Sequence, residues 1–159
     1  MTIKLLIIDI DGVMTNGTKS YDIDGNVLSK NYHDHDFTAI KRFQRKGVYV
    51  CFLSGDKRVN SKMAESRGID FFFSRQKHKD VVDVCGHYGV SLDDTAYVGD
   101  DYYDLPVMQM VEYTFCPENA REGVRAVCDT IVPVAGGGGV VAKIYEMTYP
   151  KDYDASWLH

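Results

Sequence analysis

Asp9 and Asp11 lie one residue apart, directly after a short apolar run near the start of the chain, in the order Asp9-Ile10-Asp11-Gly12-Val13. A second acidic group follows another apolar run: Gly99-Asp100-Asp101, with Asp104 three residues further on. Either group alone reads equally well as a turn former or a helix cap. Together they bring up to five carboxylates to strand ends. Like charges gathered in one place raise each other's pKa and oppose ionisation. A hard divalent cation removes that conflict, and carboxylate and carbonyl oxygens suit magnesium. Two further residues complete a set for phosphoryl transfer. Ser54, within Leu53-Ser54-Gly55-Asp56, offers a hydroxyl and nearby backbone N–H groups ahead of a helix, a setting that holds phosphate oxygens. Lys77 is placed to neutralise both a phosphate and a carboxylate nucleophile, and Lys79 competes for that role two residues on.

These residues need elements that carry them to one place. Ile3–Asp9 is a near-continuous apolar run, the signature of a strand buried on both faces of a parallel sheet. Val48–Leu53, Phe71–Phe73, Thr95–Gly99, Tyr113–Cys116 and Thr130–Val132 read the same way. Helical patterns fall between them. Asp36–Lys46 has Asp36 as its N-cap, Phe37, Ile40 and Phe43 on one face, and Gly47 as its stop. Lys57–Arg67 stops at Gly68 and His78–Tyr88 at Gly89. Asp104–Met110 carries Pro106 near its start, and Asn119–Val127 and Val140–Met147 complete the helices. Alternation of this kind predicts an α/β fold, a doubly wound, mainly parallel, Rossmann-like sheet whose ligands gather beyond the carboxyl ends of the strands. One segment interrupts it. Lys19–Asp22 and Val27–Tyr32 flank Asp24-Gly25-Asn26, which predicts a β-hairpin within residues 18–33, directly after the first strand. The chain divides into one domain, residues 1–148, and a polar, aromatic C-terminal tail, residues 149–159.

The bulk composition excludes several classes. The chain has 159 residues, 45% apolar and 26% charged, enough for one buried core. Net charge is −5 and no Lys/Arg run appears, which argues against nucleic acid or an anionic membrane as partner. No apolar run suits a membrane span, and the N-terminus lacks a signal-peptide pattern. Cys51, Cys85, Cys116 and Cys128 are widely spaced, so they read as buried, reduced thiols of a cytoplasmic protein.

In order and spacing the chemical residues resemble the motifs of the haloacid dehalogenase superfamily of phosphatases, across nearly the whole chain. Asp9-Ile10-Asp11-Gly12-Val13-Met14-Thr15 resembles the DxDGV(x)T motif. Ser54 takes the place of the small hydroxyl residue after the second strand, Lys77 that of the motif lysine, and Gly99–Pro106 that of the acidic GDDxxDLP motif. The resemblance implies that Asp9 is the nucleophile and forms an aspartyl-phosphate. It implies that Asp11 protonates the leaving alcohol and then activates water. Magnesium would be held by Asp9, Asp100 and the backbone carbonyl of Asp11, with Asp101 and Asp104 orienting Lys77 and metal-bound water. Ser54 would position the phosphate.

Many relatives carry a cap domain over the site, and this chain has room for none: Gly12–Asp36 holds only the hairpin, and Lys77–Asp100 only a helix and a strand. The DGVMTNG and YDIDGNVL segments, Asp36, GVSLDDTAYVGDD and the Gly136–Val141 run resemble the capless subgroup that contains 3-deoxy-D-manno-octulosonate 8-phosphate and 2-keto-3-deoxynonulosonate 9-phosphate phosphatases. Members of that subgroup are typically homotetramers whose hairpins help cover adjacent sites. The resemblance therefore implies a small-molecule substrate, a phosphorylated 3-deoxy-2-keto sugar acid. Gly55, Asp56 and Asp36 join Ser54 as candidate substrate contacts. Asp56 stands where the octulosonate enzymes usually have arginine, and looks more like the nine-carbon enzymes; Asp36-Phe37 stands where Asp-Gly is usual. Lys57, Arg67 and Arg75 are candidates for a substrate carboxylate, each also readable as a surface ion pair. His33 and His35 read as a solvated hairpin end or a polar rim, since no further soft ligands accompany them for a transition metal. Gly136–Gly139 lacks the Lys-Ser/Thr of a phosphate-binding loop and reads as a hinge or interface element.

Rival readings differ in class. A receiver-type signalling domain is also doubly wound and acidic, but its acidic pair and its phospho-acceptor lie on different strands. A structural module related to sialic-acid activation would tetramerise without turnover. A phosphotransferase or mutase needs a closing cap. A broad-specificity sugar phosphatase would keep the chemistry and lose the preference for a sugar acid.

Overall fold

The computed structural model describes residues 2–153. Six strands form one parallel sheet: β1 (Leu5–Ile8), β4 (Tyr49–Ser54), β5 (Asp70–Phe73), β6 (Thr95–Val98), β7 (Tyr113–Pro117) and β8 (Thr130–Val132), in the order β5-β4-β1-β6-β7-β8. The helices are α1 (Asp34–Arg45), α2 (Arg58–Arg67), α3 (Lys77–Tyr88), α4 (Leu105–Met108), α5 (Glu122–Val127) and α6 (Val140–Thr148). β1 is apolar at every position because it is covered on both faces. Leu6 and Ile8 join Val50, Phe52, Ala96 and Val98 on the face packed by α1 and α6. Leu5 and Ile7 join Cys51, Leu53 and Tyr97 on the face packed by α3, α4 and α5. This is the strand period of two applied to both layers.

Register places the chemistry. Ile8 pairs with both Phe52 and Val98, so the chain leaves β1, β4 and β6 at one level. The chain runs outward from β1 to β5 and then returns across β1 to β6, and such a reversal opens a crevice at the strands' carboxyl ends. The hairpin forms between β2 (Ser20–Tyr21) and β3 (Val27–Ser29), shorter than the sequence pattern suggests and bulged at Ser20/Tyr21. Its turn is held by the Asp22 side chain, which accepts from the N–H groups of Asp24 and Asn26, both at 2.9 Å.

Three helix boundaries differ from the sequence reading. α1 starts earlier, with His33 as N-cap; its Nδ1 accepts from His35 N–H at 3.1 Å, and Asp36 lies inside the helix. The predicted Asp104–Met110 helix is a 3₁₀ turn, Tyr102–Asp104, followed by the four-residue α4, because a capping box between Asp101 and Asp104 shapes the entry. α5 begins only at Glu122, and the Asn119 side chain instead accepts from Gly136 N–H at 2.9 Å. Of the expected tail, Pro150–Tyr153 forms a 3₁₀ turn in which Asp152 accepts from Tyr145 Oη at 2.6 Å; residues 154–159 lie outside the described residues. Cys51, Cys85 and Cys116 are buried, Cys128 is half-buried, and all four are free. No helix among the described residues is long and apolar enough to cross a membrane.

Candidate active site

The chain leaving β1 turns sharply through Ile10–Met14. Gly12 makes the turn possible, with φ at +88°, a conformation that side chains rarely adopt. A Cβ there would also lie 1.7 Å from Asp100 Oδ2, so glycine is required twice over. Thr15, fully buried, fastens the turn: its Oγ1 accepts from the N–H groups of Gly12 and Gly17, each at 3.2 Å. The glycine run before α6 closes on the same turn. Gly137 N–H donates to Val13 carbonyl oxygen at 3.0 Å, and a Cβ on Gly136 would lie 2.0 Å from Gly12 carbonyl oxygen. Gly136 and Gly137 are thus packed backbone against backbone on this turn.

Asp9 stands at the mouth of β1, 7% exposed. Lys77, the first residue of α3, donates from Nζ to Asp9 Oδ1 and Asp104 Oδ1, both at 2.8 Å. Lys79 is exposed, so of the two lysines it is Lys77 that reaches these carboxylates. Asp104 is held from every side: Oδ1 also accepts from Tyr97 Oη at 2.5 Å, and Oδ2 from the N–H groups of Asp100 and Asp101 at 3.0 and 3.1 Å. Burial, then the charge of Asp104, pushes the Asp9 carboxyl well above the ordinary carboxylate range, against the opposing pull of Lys77. Burial also works against the Lys77 charge, but Asp9 and Asp104 more than offset it and raise its pKa. The ammonium therefore stays charged between the two carboxyls.

Asp100, beyond β6, has no comparable partner. Its Oδ1 is buried and unbonded, and burial together with Asp104 and Asp101 raises its pKa to about 6. One oxygen each from Asp9, Asp100 and Asp104 lie within 4.8 Å of one another. A divalent cation fits here: an orphaned buried carboxylate oxygen, hard oxygen donors and uncompensated negative charge are what such an ion satisfies. Asp9 and Asp100 are the better ligands, because the oxygens of Asp104 are already engaged by Lys77, Tyr97 and two backbone amides.

On the other flank, Asp11 is held at both oxygens. Lys30 Nζ donates to Oδ1 at 2.8 Å and Asn60 Nδ2 to Oδ2 at 3.0 Å. Lys30 also reaches Asp56 Oδ2 at 2.7 Å, where Lys19 donates as well at 3.1 Å. Partial burial of Asp56 opposes its charge, but these two lysines hold its carboxyl below the usual range. Ser54 Oγ accepts from Asp56 N–H at 3.1 Å and from Asn60 Nδ2 at 3.2 Å. Between the flanks lies a cavity of about 400 Å³ that Asp9, Asp11, Ser54, Gly55, Asp56 and Lys77 line together with Asp100, Asp101 and Asp104.

Asp36 lies apart from this cavity. It is fully buried on α1, and Oδ1 accepts from Ala142 N–H at 2.9 Å, so it caps the start of α6. Of the three candidate cations, Arg75 lines the cavity. Arg67 instead pairs with Asp34 at 3.3 Å and stacks over Phe37, and Lys57 lies over the Phe73 ring. The His33 and His35 rings lie 4.5 Å apart at the start of α1 and do not line the cavity. Sequence reasoning placed Thr15 in its motif without a role, and missed Lys30, Asn60 and Tyr97. For Thr15 the signal is the motif it ends; Lys30 and Asn60 have none, because their contacts with Asp11 span 19 and 49 residues, and Tyr97 reads only as part of an apolar strand seven residues before Asp104. It missed Ser74 and Tyr103 of the cavity wall as well.

With this geometry in hand, known proteins can be compared. A family described as haloacid dehalogenase-like hydrolase matches residues 74–144. The 3-deoxy-D-manno-octulosonate 8-phosphate phosphatase of Haemophilus influenzae is 32% identical over 148 residues, 91% of this chain and 82% of the relative. The cobalt-bound structure of the Haemophilus influenzae phosphatase superposes with a TM-score of 0.88 at 31% identity, covering 94% of this chain and 88% of the other. The Moraxella catarrhalis phosphatase, solved with magnesium, phosphate and KDO, superposes with a TM-score of 0.88 at 25% identity, covering 98% and 92%. The chain therefore belongs to the haloacid dehalogenase-like hydrolases, in the capless phosphatase branch that contains the 3-deoxy-D-manno-octulosonate 8-phosphate phosphatases.

Proposed function

We propose that this phosphatase hydrolyses a phosphorylated 3-deoxy-2-keto sugar acid, of the octulosonate 8-phosphate or nonulosonate 9-phosphate type, through an aspartyl-phosphate on Asp9. The observation that carries the reading is the convergence of Asp9, Lys77 and Asp100 on one cavity that Asp11 and Ser54 also line. Asp9 is the nucleophile: an oxygen attacks phosphorus as the bond to the departing alcohol breaks. Lys77 spreads positive charge over Asp9 and the incoming phosphoryl oxygens. Asp11 gives a proton to the leaving oxygen and later takes one from the water that cleaves the intermediate. Ser54 and the backbone beside Gly55 hold the non-reacting phosphate oxygens.

Asp9, Asp100 and the Asp11 carbonyl would hold magnesium, which supplies Lewis-acid stabilisation of charge on the transferred group. Asp104 keeps Lys77 and the Asp100 loop in place, whereas the Asp101 carboxylate accepts from Tyr102 N–H and does not reach Lys77. Asp56 and Arg75 line the same cavity, where they meet the sugar end of the substrate. The acidic Asp56 favours the nine-carbon acids, whereas the named relatives are octulosonate phosphatases. In the assembly, a homotetramer in the cytoplasm, neighbouring hairpins cover the otherwise open site.

The test is phosphate release with magnesium from octulosonate 8-phosphate, several nonulosonate 9-phosphates, hexose phosphates and p-nitrophenyl phosphate, each beside Asp9→Asn. One keto-deoxy acid should be strongly preferred, and Asp9→Asn should be inactive yet folded. Appreciable turnover by Asp9→Asn would remove the nucleophile assignment; turnover without preference would remove the sugar acid.

A further inference from the structure

Lys30 is unusual for a lysine. It follows β3 of the hairpin, and none of its side chain is exposed. A buried ammonium is costly to desolvate and persists only where acceptors surround it. Lys30 has three: Asp11 Oδ1 at 2.8 Å, Asp56 Oδ2 at 2.7 Å and Asn60 Oδ1 at 3.2 Å. Tyr32 Oη donates to the same Asn60 oxygen at 2.9 Å. Lys30 does not line the cavity, although two of its partners, Asp11 and Asp56, do. It therefore stands behind the wall. With Lys30 on one oxygen of Asp11 and Asn60 on the other, the carboxyl group has a single orientation.

We propose that Lys30 is a positioning residue: it fixes the Asp11 carboxyl for proton delivery to the leaving group, and so makes the hairpin part of the catalytic framework. The inference rests on the proposed role of Asp11. In the step concerned, the bond from Asp9 to phosphorus forms, the phosphorus–oxygen bond to the alcohol breaks, and the Asp11 proton passes to that oxygen. General acids must sit within hydrogen-bond reach of the atom they protonate, and groups that lock their orientation set that reach. A residue that merely ties the hairpin to the body would, when lost, affect all substrates alike.

The leaving group separates these roles. p-Nitrophenolate departs as a stable anion and needs no proton, whereas an alkoxide does need one. First-turnover release of the alcohol should be measured with enzyme in excess, for an alkyl sugar phosphate and for p-nitrophenyl phosphate. Lys30→Met and Lys30→Gln should each slow the alkyl ester by about 10²-fold, within the range general acids contribute, and p-nitrophenyl phosphate by only about threefold. Asp11→Asn should show the same selectivity. If Asp11→Asn is selective and the Lys30 variants are not, the Lys30 inference falls and the Asp11 reading stands. If Asp11→Asn shows no selectivity, the acid role itself falls. If neither Lys30 variant folds, by circular dichroism, Lys30 is structural and the inference is overturned.

Discussion

The single residue that most clearly separates chemistry from packing is Asp100. A buried carboxylate oxygen without a partner is a cost the fold carries, because desolvation disfavours the charged form. A cation with hard-oxygen preference would relieve it. Magnesium should therefore raise the thermal stability of the wild type, by about 2.7 kcal/mol at one hundred times its Kd. In Asp100→Asn that gain should nearly vanish, read by calorimetry across a magnesium titration; an equal gain in the variant would place the ion elsewhere. The carboxylates themselves were legible in the sequence because they follow apolar strands and come in motif order. Lys77 was legible only as one of two lysines, since spacing of two residues carries no statement about which one faces the sheet. Lys30 and Asn60 were not legible: their contacts with Asp11 span 19 and 49 residues, and no local pattern encodes them.

Among the elements, α1 and α6 show what sequence patterns miss. An aspartate near a helix start reads as its N-cap, and Asp36 does cap a helix, but one 106 residues away. Its Oδ2 stays buried without a partner, and burial lifts its pKa to about 6 despite the N–H groups of α6. A carboxyl raised in the folded state binds its proton more tightly there than in the unfolded chain. Its stabilising contribution is full below the unfolded pKa, near 3.8, and is lost as pH rises through about 6. Asp36→Asn keeps an acceptor for Ala142 and removes the titration. The wild type should accordingly gain on this variant by about 2 kcal/mol as pH falls from 7.5 to 4.5, measured by urea denaturation. A pH-independent difference over this range would show that folding does not raise the Asp36 pKa. The strands of the parallel sheet were readable to within two residues at each end, because their apolar runs are nearly unbroken, whereas the exposed hairpin strands were read too long. The short elements were misjudged for reasons invisible to periodicity: a capping box between Asp101 and Asp104 shapes the entry to α4, and the Asn119 side chain is engaged by Gly136 rather than by α5.

At the scale of the whole molecule, the hairpin projects Tyr21, Ile23 and Leu28 into solvent, with Ile23 100% exposed. Such residues on a two-stranded ribbon suit contact with other copies of the chain. Ile23→Asp combined with Leu28→Asp should yield monomers by sedimentation, with turnover of the sugar-acid substrate reduced more than that of p-nitrophenyl phosphate. Equal losses, or an unchanged oligomer, would remove the neighbouring hairpin as a cover. The parallel sheet and the crevice at its strand ends were legible from alternation alone, whereas the strand order and the packing of Gly136 and Gly137 on the turn after β1 were not. That packing has a consequence for biosynthesis. Asp9 is made more than a hundred residues before the glycines that brace the turn following it. A nascent chain halted before Gly136 carries Asp9, Asp11, Lys77 and Asp100 without that brace, so the turn after β1 gains it only when synthesis has passed the glycine run.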